Sequence, residues 1–263
     1  VQFSLIWWLT NESKSAIMLS LAGLFAYLPQ MFLGPFVGVW LDRLKRKYVV
    51  IFADLFIGLV AFVLSMWFLL GQPGFAVVIV ALFLRALANV FHTPSIQAIV
   101  PLLVPEEELV KANSWNQFLQ SGAFMLGPVL GAAMFAVMPL WLILLTDLIG
   151  ALAASFTLWI VAVPNIVRND EHPQHYFQEL KDGLNVFRED PPMLVVMIFS
   201  FCIMIFYLPL GTLFPLMTNV HFELSAWFAS MVEFSYAAGM MISAFLIGMK
   251  KEWREKLLAA QLS

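Results

Sequence analysis

The chain has 263 residues, 62% of them hydrophobic and 12% charged, with a formal net charge of −3 and a mean hydropathy of +0.87. An ordinary soluble domain carries about 25% charged and roughly 45–50% apolar residues, so this chain has too little polar surface to be one. Its lone cysteine, Cys202, lies in an apolar run, which excludes an intrachain disulfide and a thiolate metal site; no cofactor and no nucleic-acid partner is expected.

A bilayer core about 30 Å thick is crossed by about 20 mostly apolar residues in a helix, and such runs recur along the chain. Residues 1–9, VQFSLIWWL, are apolar but too short to span, and read as the last turns of a helix whose start is missing. Spans are predicted at 16–41, 48–70, 75–100, 114–138, 140–163, 192–217 and 226–249. The predicted fold class is an all-α polytopic membrane protein. Short loops at 10–15, 71–74, 138–139 and 218–225 imply antiparallel neighbours. Segment 164–191 breaks the pattern with many charges, and its Phe177, Leu180, Leu184 and Phe187 fall at helical spacing. It reads as a linker with an amphipathic helix, dividing a bundle at 1–163 from the start of a second at 192–263.

Charge position matters more than net charge in such a protein. With the 42–47 turn inside the cell, alternation puts Arg43, Lys45, Arg46, Lys47, Lys111, Arg168, Lys181, Arg188, Lys250, Lys251, Arg254 and Lys256 inside. Only Lys14 falls outside, and Arg85 lies within a span. That asymmetry supports both the helix count and the orientation, in a plasma membrane. A shift of 210 residues sets Gly248, Glu252 and Lys256 on Gly38, Asp42 and Arg46, a faint repeat of the kind left by duplicated transporter halves. A chain that opens without Met in mid-helix and stops after a basic stretch is expected to be a fragment.

Three patterns carry chemistry. In Gly38-x-x-x-Asp42-Arg43-x-x-Arg46-Lys47, the glycine allows close approach of a helix end, the aspartate can face a helix N-terminus and the cations can pair with nearby carboxylates. Arg85 sits about 15 Å into its span at 1.5 Å per residue, where a cation needs a partner or a cavity; Asn89 and His92 share its face. In Gly122-x-x-x-x-Gly127-Pro128-x-x-Gly131, the last two glycines offer a groove for helix packing, and the proline frees a carbonyl. Plain membrane anchoring and interhelical bonding remain alternative readings of these residues.

The first pattern resembles the loop signature between helices 2 and 3 of the major facilitator superfamily, with Lys45 where a glycine is usual. Arg85 corresponds to that family's helix-4 arginine, and the Gly-Pro pattern resembles the helix-5 motif of its antiporters. Arg85 to Gln97, Pro101 to Asn113 and Tyr207 to Pro215 are similar to the macrolide-efflux branch of its bacterial drug exporters. The resemblance implies a partial fold: a six-helix bundle with helix 1 truncated, plus helices 7 and 8. It implies proton-coupled drug export by alternating access, with Gly38, Asp42, Arg43, Arg46 and Lys47 as a conformational latch.

Acids inside spans are candidate proton carriers, since loss of water favours the neutral form; Asp147 and Glu233 fit, alongside Arg85. Asp54 lies nearer the inner face and suits the inner charge cluster, while Glu106, Glu107 and Glu108 suit capping. Asn89, His92, Gln117, Gln120 and Tyr207 are candidate cavity contacts, with Trp115 beside them. Pro209, Gly211 and Pro215 are expected to interrupt helix 7 as a gate. A single span histidine, His92, argues against an enzyme. Expected partners are a small amphiphilic substrate, protons and the bilayer, with the chain a monomer; an ATP-binding-cassette-type partner is left open by the sequence. An exporter of siderophores or lipid-like metabolites, and a non-transporting receptor or scaffold, are the alternatives.

Overall fold

The computed structural model describes residues 1–164 and 191–249, and among these every regular element is helical. With no water in a bilayer core, a spanning segment must satisfy its own N–H and C=O groups, and a helix does so. The helices are α1 (Gln2–Ser13), α2 (Ala16–Arg43), α3 (Arg46–Leu70), α4 (Phe75–Leu103), α5 (Leu109–Val137), α6 (Leu140–Ile160), α7 (Pro191–Leu216) and α8 (Ala226–Met249). Six of them, α2 to α7, are long and apolar enough to cross a membrane. The amphipathic helix expected at 164–191 and the repeat residues Glu252 and Lys256 lie outside the described residues.

Apart from the link between α6 and α7, most of which lies outside the described residues, connections are short, so successive helices alternate in direction and the bundle has two ends. At one, which we call the Lys14 end, Lys14 takes a left-handed conformation (φ 46) and its N–H bonds to the Thr10 carbonyl, terminating α1. The α3–α4 and α5–α6 turns lie at the same end. At the other, the Lys45 end, only Leu44 and Lys45 separate α2 from α3. The turn expected at 42–47 is therefore narrower: Asp42 and Arg43 finish one helix, and Arg46 and Lys47 begin the next.

The main apolar core sits near the Lys14 end, where Leu5, Leu9, Leu19, Val78, Leu82, Ile143 and Leu144 are almost fully buried. A smaller cluster of Val37, Leu41 and Val90 serves the Lys45 end. α3 packs chiefly on α6 and α4, and α2 on α4. Where α3 meets α6, a Cβ on Gly58 would come within 2.9 Å of Ala151 Cβ, and the Ser65 hydroxyl donates to the Trp141 carbonyl at 2.7 Å. α7 packs on α2, and α8 on α5.

Two expectations about helix shape are corrected. α7 runs unbroken through Pro209, Gly211 and Pro215, and the irregular geometry follows it, as a π-helical turn at Met217–His221. Pro215 cannot donate to the carbonyl one turn earlier, and the hydrogen-bond register slips just past it. α5 starts at Leu109 rather than 114 because its polar opening residues, Lys111 to Gln117, are helical too.

Candidate functional site

α4 carries one ion pair and one histidine–carboxylate contact on its way through the bundle. Near mid-span, Arg85 Nη1 donates to Asp147 Oδ2 of α6, with the two side chains 15% and 24% exposed. Two turns nearer the Lys45 end, His92 Nε2 lies 3.1 Å from Asp54 Oδ1 of α3. Asp54 is thus a partner of His92 rather than a member of the inner basic cluster. Asn89, between the two pairs, is exposed. Arg85 Nε is buried with no hydrogen-bond partner among the described residues. A donor in that state costs about 1–3 kcal/mol, so the pair is not a fully satisfied structural bridge.

A second cluster joins α2, α7 and α8. The rings of Tyr207 and Tyr236 lie 5.7 Å apart, and Tyr27 and Glu233 are near enough to act electrostatically on the Tyr207 phenol. Tyr236 follows Glu233 by three residues on one face of α8, and Glu233 is partly buried. One tyrosine pair, with a third phenol and a carboxylate within electrostatic range, thus lies where helices from the two ends of the sequence converge. Tyr27 and Tyr236 escape the sequence reading, because a tyrosine in an apolar run looks like packing.

Above this cluster, α1, α5 and α8 pack together towards the Lys14 end. Trp7, 4% exposed, packs with Ala132, Ala226 and Ala229, flanked by Phe3, Phe135 and Phe214. The small alanines let α1, α5 and α8 approach closely. A Cβ on Gly23 of α2 would come within 2.8 Å of Thr212 Cγ2 of α7. Towards the Lys45 end, Gln117, Gln120 and Trp115 of α5 are exposed, and so are Phe199 and Phe206 of α7. Gln120 Nε2 donates to Asn116 Oδ1 at 3.2 Å; neither glutamine is brought to the tyrosine cluster by a described contact.

The glycine patterns divide. Gly131 packs against α1: its carbonyl accepts from Ser4 Oγ at 3.3 Å, and a Cβ there would lie 3.2 Å from Phe3. Gly122, Gly127 and Gly38 have nothing within 4 Å of an added Cβ. A Gly127–Gly131 packing groove and a close approach at Gly38 are therefore not features of the described residues. Pro128 is buried within α5, which continues past it.

At the Lys45 end, the consecutive cations have separate fates. Arg46 Nη1 donates to the Ala98 carbonyl at 3.2 Å, tying α3 to α4. Lys47 Nζ donates to the Trp159 and Val161 carbonyls at 2.9 and 2.7 Å, closing the C-terminus of α6, where a cation also meets the negative end of the helix dipole. The side chains of Asp42 and Arg43 lie outside the described residues. No group of three or more metal-ligating side chains occurs among the described residues.

Comparison with known proteins gives a consistent answer. Residues 1–260 match the family model described as Major Facilitator Superfamily. The chain is 35% identical over 260 residues to Macrolide efflux protein A of Streptococcus pyogenes, an alignment covering 98% of this chain and 64% of that protein. It is 35% identical over 246 residues to Macrolide efflux protein A of Enterococcus faecalis, covering 93% of this chain and 76% of that protein. An uncharacterized MFS-type transporter of Mycobacterium bovis is 32% identical over 160 residues, 59% of this chain and 34% of the relative. The chain therefore spans less than two thirds of the length of the Streptococcus protein.

Proposed function

Because the chain belongs to the Major Facilitator Superfamily and is a multi-pass membrane protein, we propose that the whole protein exports amphiphilic drugs such as macrolides across the bacterial plasma membrane in exchange for protons. The carrying observation is the 35% identity to Macrolide efflux protein A over 98% of the chain. The basic Lys45 end is cytoplasmic in this reading, and residues 1–163 and 192–263 belong to two bundles that rock about a central site.

The Tyr27, Tyr207, Tyr236 and Glu233 cluster supports the reading chemically. Tyrosine faces attract an amphiphilic cation while the ring edges offer apolar contact, and a carboxylate gives its charge a partner. Glu233 serves either the cationic drug or a proton, so binding one releases the other. Packing of Trp7 with Ala226 and Ala229 at the Lys14 end supports a state in which the cluster is loaded from the cytoplasm. Arg85 and Asp147 form a second proton-responsive pair: neutralising Asp147 releases Arg85, whose Nε already lacks a partner. Gly38, Asp42, Arg43, Arg46 and Lys47 form the inner latch, and Gly122, Gly127, Pro128 and Gly131 give α5 its small, bendable face. Asn89, His92, Gln117 and Gln120 line the path toward the cytoplasm.

The test is macrolide accumulation in a pump-deficient bacterium expressing the full-length gene, with and without a protonophore. Expression is expected to lower accumulation, and the protonophore to abolish the difference. Equal accumulation with and without the gene, across macrolides and other amphiphiles at confirmed membrane expression, would overturn the proposal.

A further inference from the structure

Between the Lys45-end halves of α3 and α4, an open groove of about 860 Å³ runs along the bundle, bounded at its mouth by Leu44 of the α2–α3 turn. Its walls are Phe52, Leu55, Phe56 and Leu59 of α3 with Leu87 and Phe91 of α4, and its floor includes Ala53 and Ala88. Phe52 is 71% exposed and Leu59 55%. The polar groups of this groove are confined to its mouth. Lys45 and Tyr48 stand there, the ammonium 6.0 Å from the ring centroid. Arg46 and Lys47 are committed to main-chain carbonyls of α4 and α6, whereas the Lys45 ammonium makes no hydrogen bond or ion pair among the described residues.

We propose that this groove binds one anionic phospholipid of the inner leaflet, its phosphate on Lys45 and an acyl chain lying along Phe52, Phe56 and Leu59. Length, polarity and charge all select that occupant. From Lys45 to Leu59 is fourteen helical steps, about 21 Å, which spans a headgroup and the roughly 15 Å of hydrocarbon in one leaflet. An apolar trough whose described lining carries one cation, Lys45, at the interfacial end matches a lipid with one anionic head, and basic pockets between helices on the cytoplasmic side are where anionic headgroups bind. Tyr48 sits at the depth favoured by interfacial aromatics. The assignment is independent of what the protein transports.

The experiment is native mass spectrometry of the full-length protein, delipidated in detergent and titrated with phosphatidylglycerol or phosphatidylcholine of the same chain length. The wild type is expected to retain phosphatidylglycerol preferentially. Lys45→Gln should reduce that preference about fivefold, the effect of about 1 kcal/mol for one interfacial cation. Lys111→Gln, which removes a cation from α5, should leave it unchanged. Leu59→Trp and Ala88→Phe, which fill the trough at two points, should weaken both lipids without changing their ratio; using two sites guards against one variant failing to fold. Equal retention of the two lipids by the wild type, an undiminished preference in Lys45→Gln, or a loss as large in Lys111→Gln would overturn the proposal. So would full lipid retention by both trough-filling variants.

Discussion

The two ends of the bundle are held by different forces. At the Lys14 end the helices are bound by a continuous apolar core and by small residues against a tryptophan, with Leu5 and Leu9 at 0% exposure. At the Lys45 end the apolar cluster is small, and cationic side chains reaching carbonyls of the next helix do much of the joining. Apolar packing is short-ranged and tolerates no added volume, whereas a lysine tethered to a helix end can let go and rebind. The contrast teaches that the Lys14 end is a tightly packed seam, whereas the Lys45 end is joined by side-chain tethers.

Substitutions can break or sharpen that contrast. The largest effect is expected midway between the ends, at the pair that belongs to neither. Asp147→Ala or Arg85→Ala strands a charge in a desolvated site, costing about 3 kcal/mol; each should lower the thermal midpoint and abolish efflux. The double variant should be more stable than either single one, since no charge is then left alone. A double variant that melts below both would show that the pair is not the coupled unit described.

Next comes the seam. Gly23→Leu forces a side chain into space already taken by Thr212, and overpacking of this kind costs about 1–3 kcal/mol. The packed state should lose population, seen as faster labelling of a cysteine introduced at the buried Ala229 in a Cys202→Ala background and as slower efflux. Unchanged labelling would remove the α2–α7 contact from the seam. A smaller loss is expected at the tethered end, where Lys47→Ala frees the α6 terminal carbonyls at a cost of about 1 kcal/mol or less; differential scanning fluorimetry should find a drop of about 2–4 °C. The smallest change is at Gly38, which has no near neighbour among the described residues. Gly38→Ala should be neutral or raise the midpoint slightly, since alanine favours a helix by about 1 kcal/mol over glycine, and a marked drop would restore the idea of a close approach there.

The spans were legible because long apolar runs have one low-energy solution in a bilayer. Arg85, Asp147 and Glu233 were each legible as ionisable groups in apolar surroundings, but partners were not, because pairing depends on how neighbouring helices are rotated. That is why Arg85–Asp147 emerges only from the packing, and why Asp54 turns out to face His92. Tyr27 and Tyr236 gave no signal, having no charge to stand out. Glycines gave a different lesson: Gly38 and Gly127 have open space around them among the described residues, while Gly23 and Gly58, outside any pattern, mark close helix contacts. Pro209 and Pro215 suggested a break in α7, yet the helix continues through both, and the hydrogen-bond register changes only beyond Pro215.

The central claim is that drug and proton meet at Glu233 beneath the packed seam. Its most direct measurement is the pH gradient across inverted membrane vesicles containing the full-length protein, followed with a fluorescent dye as macrolide is added. Wild-type vesicles should lose part of the gradient on addition, and Glu233→Gln vesicles with equal protein should keep it. A gradient discharged equally by Glu233→Gln would contradict the account.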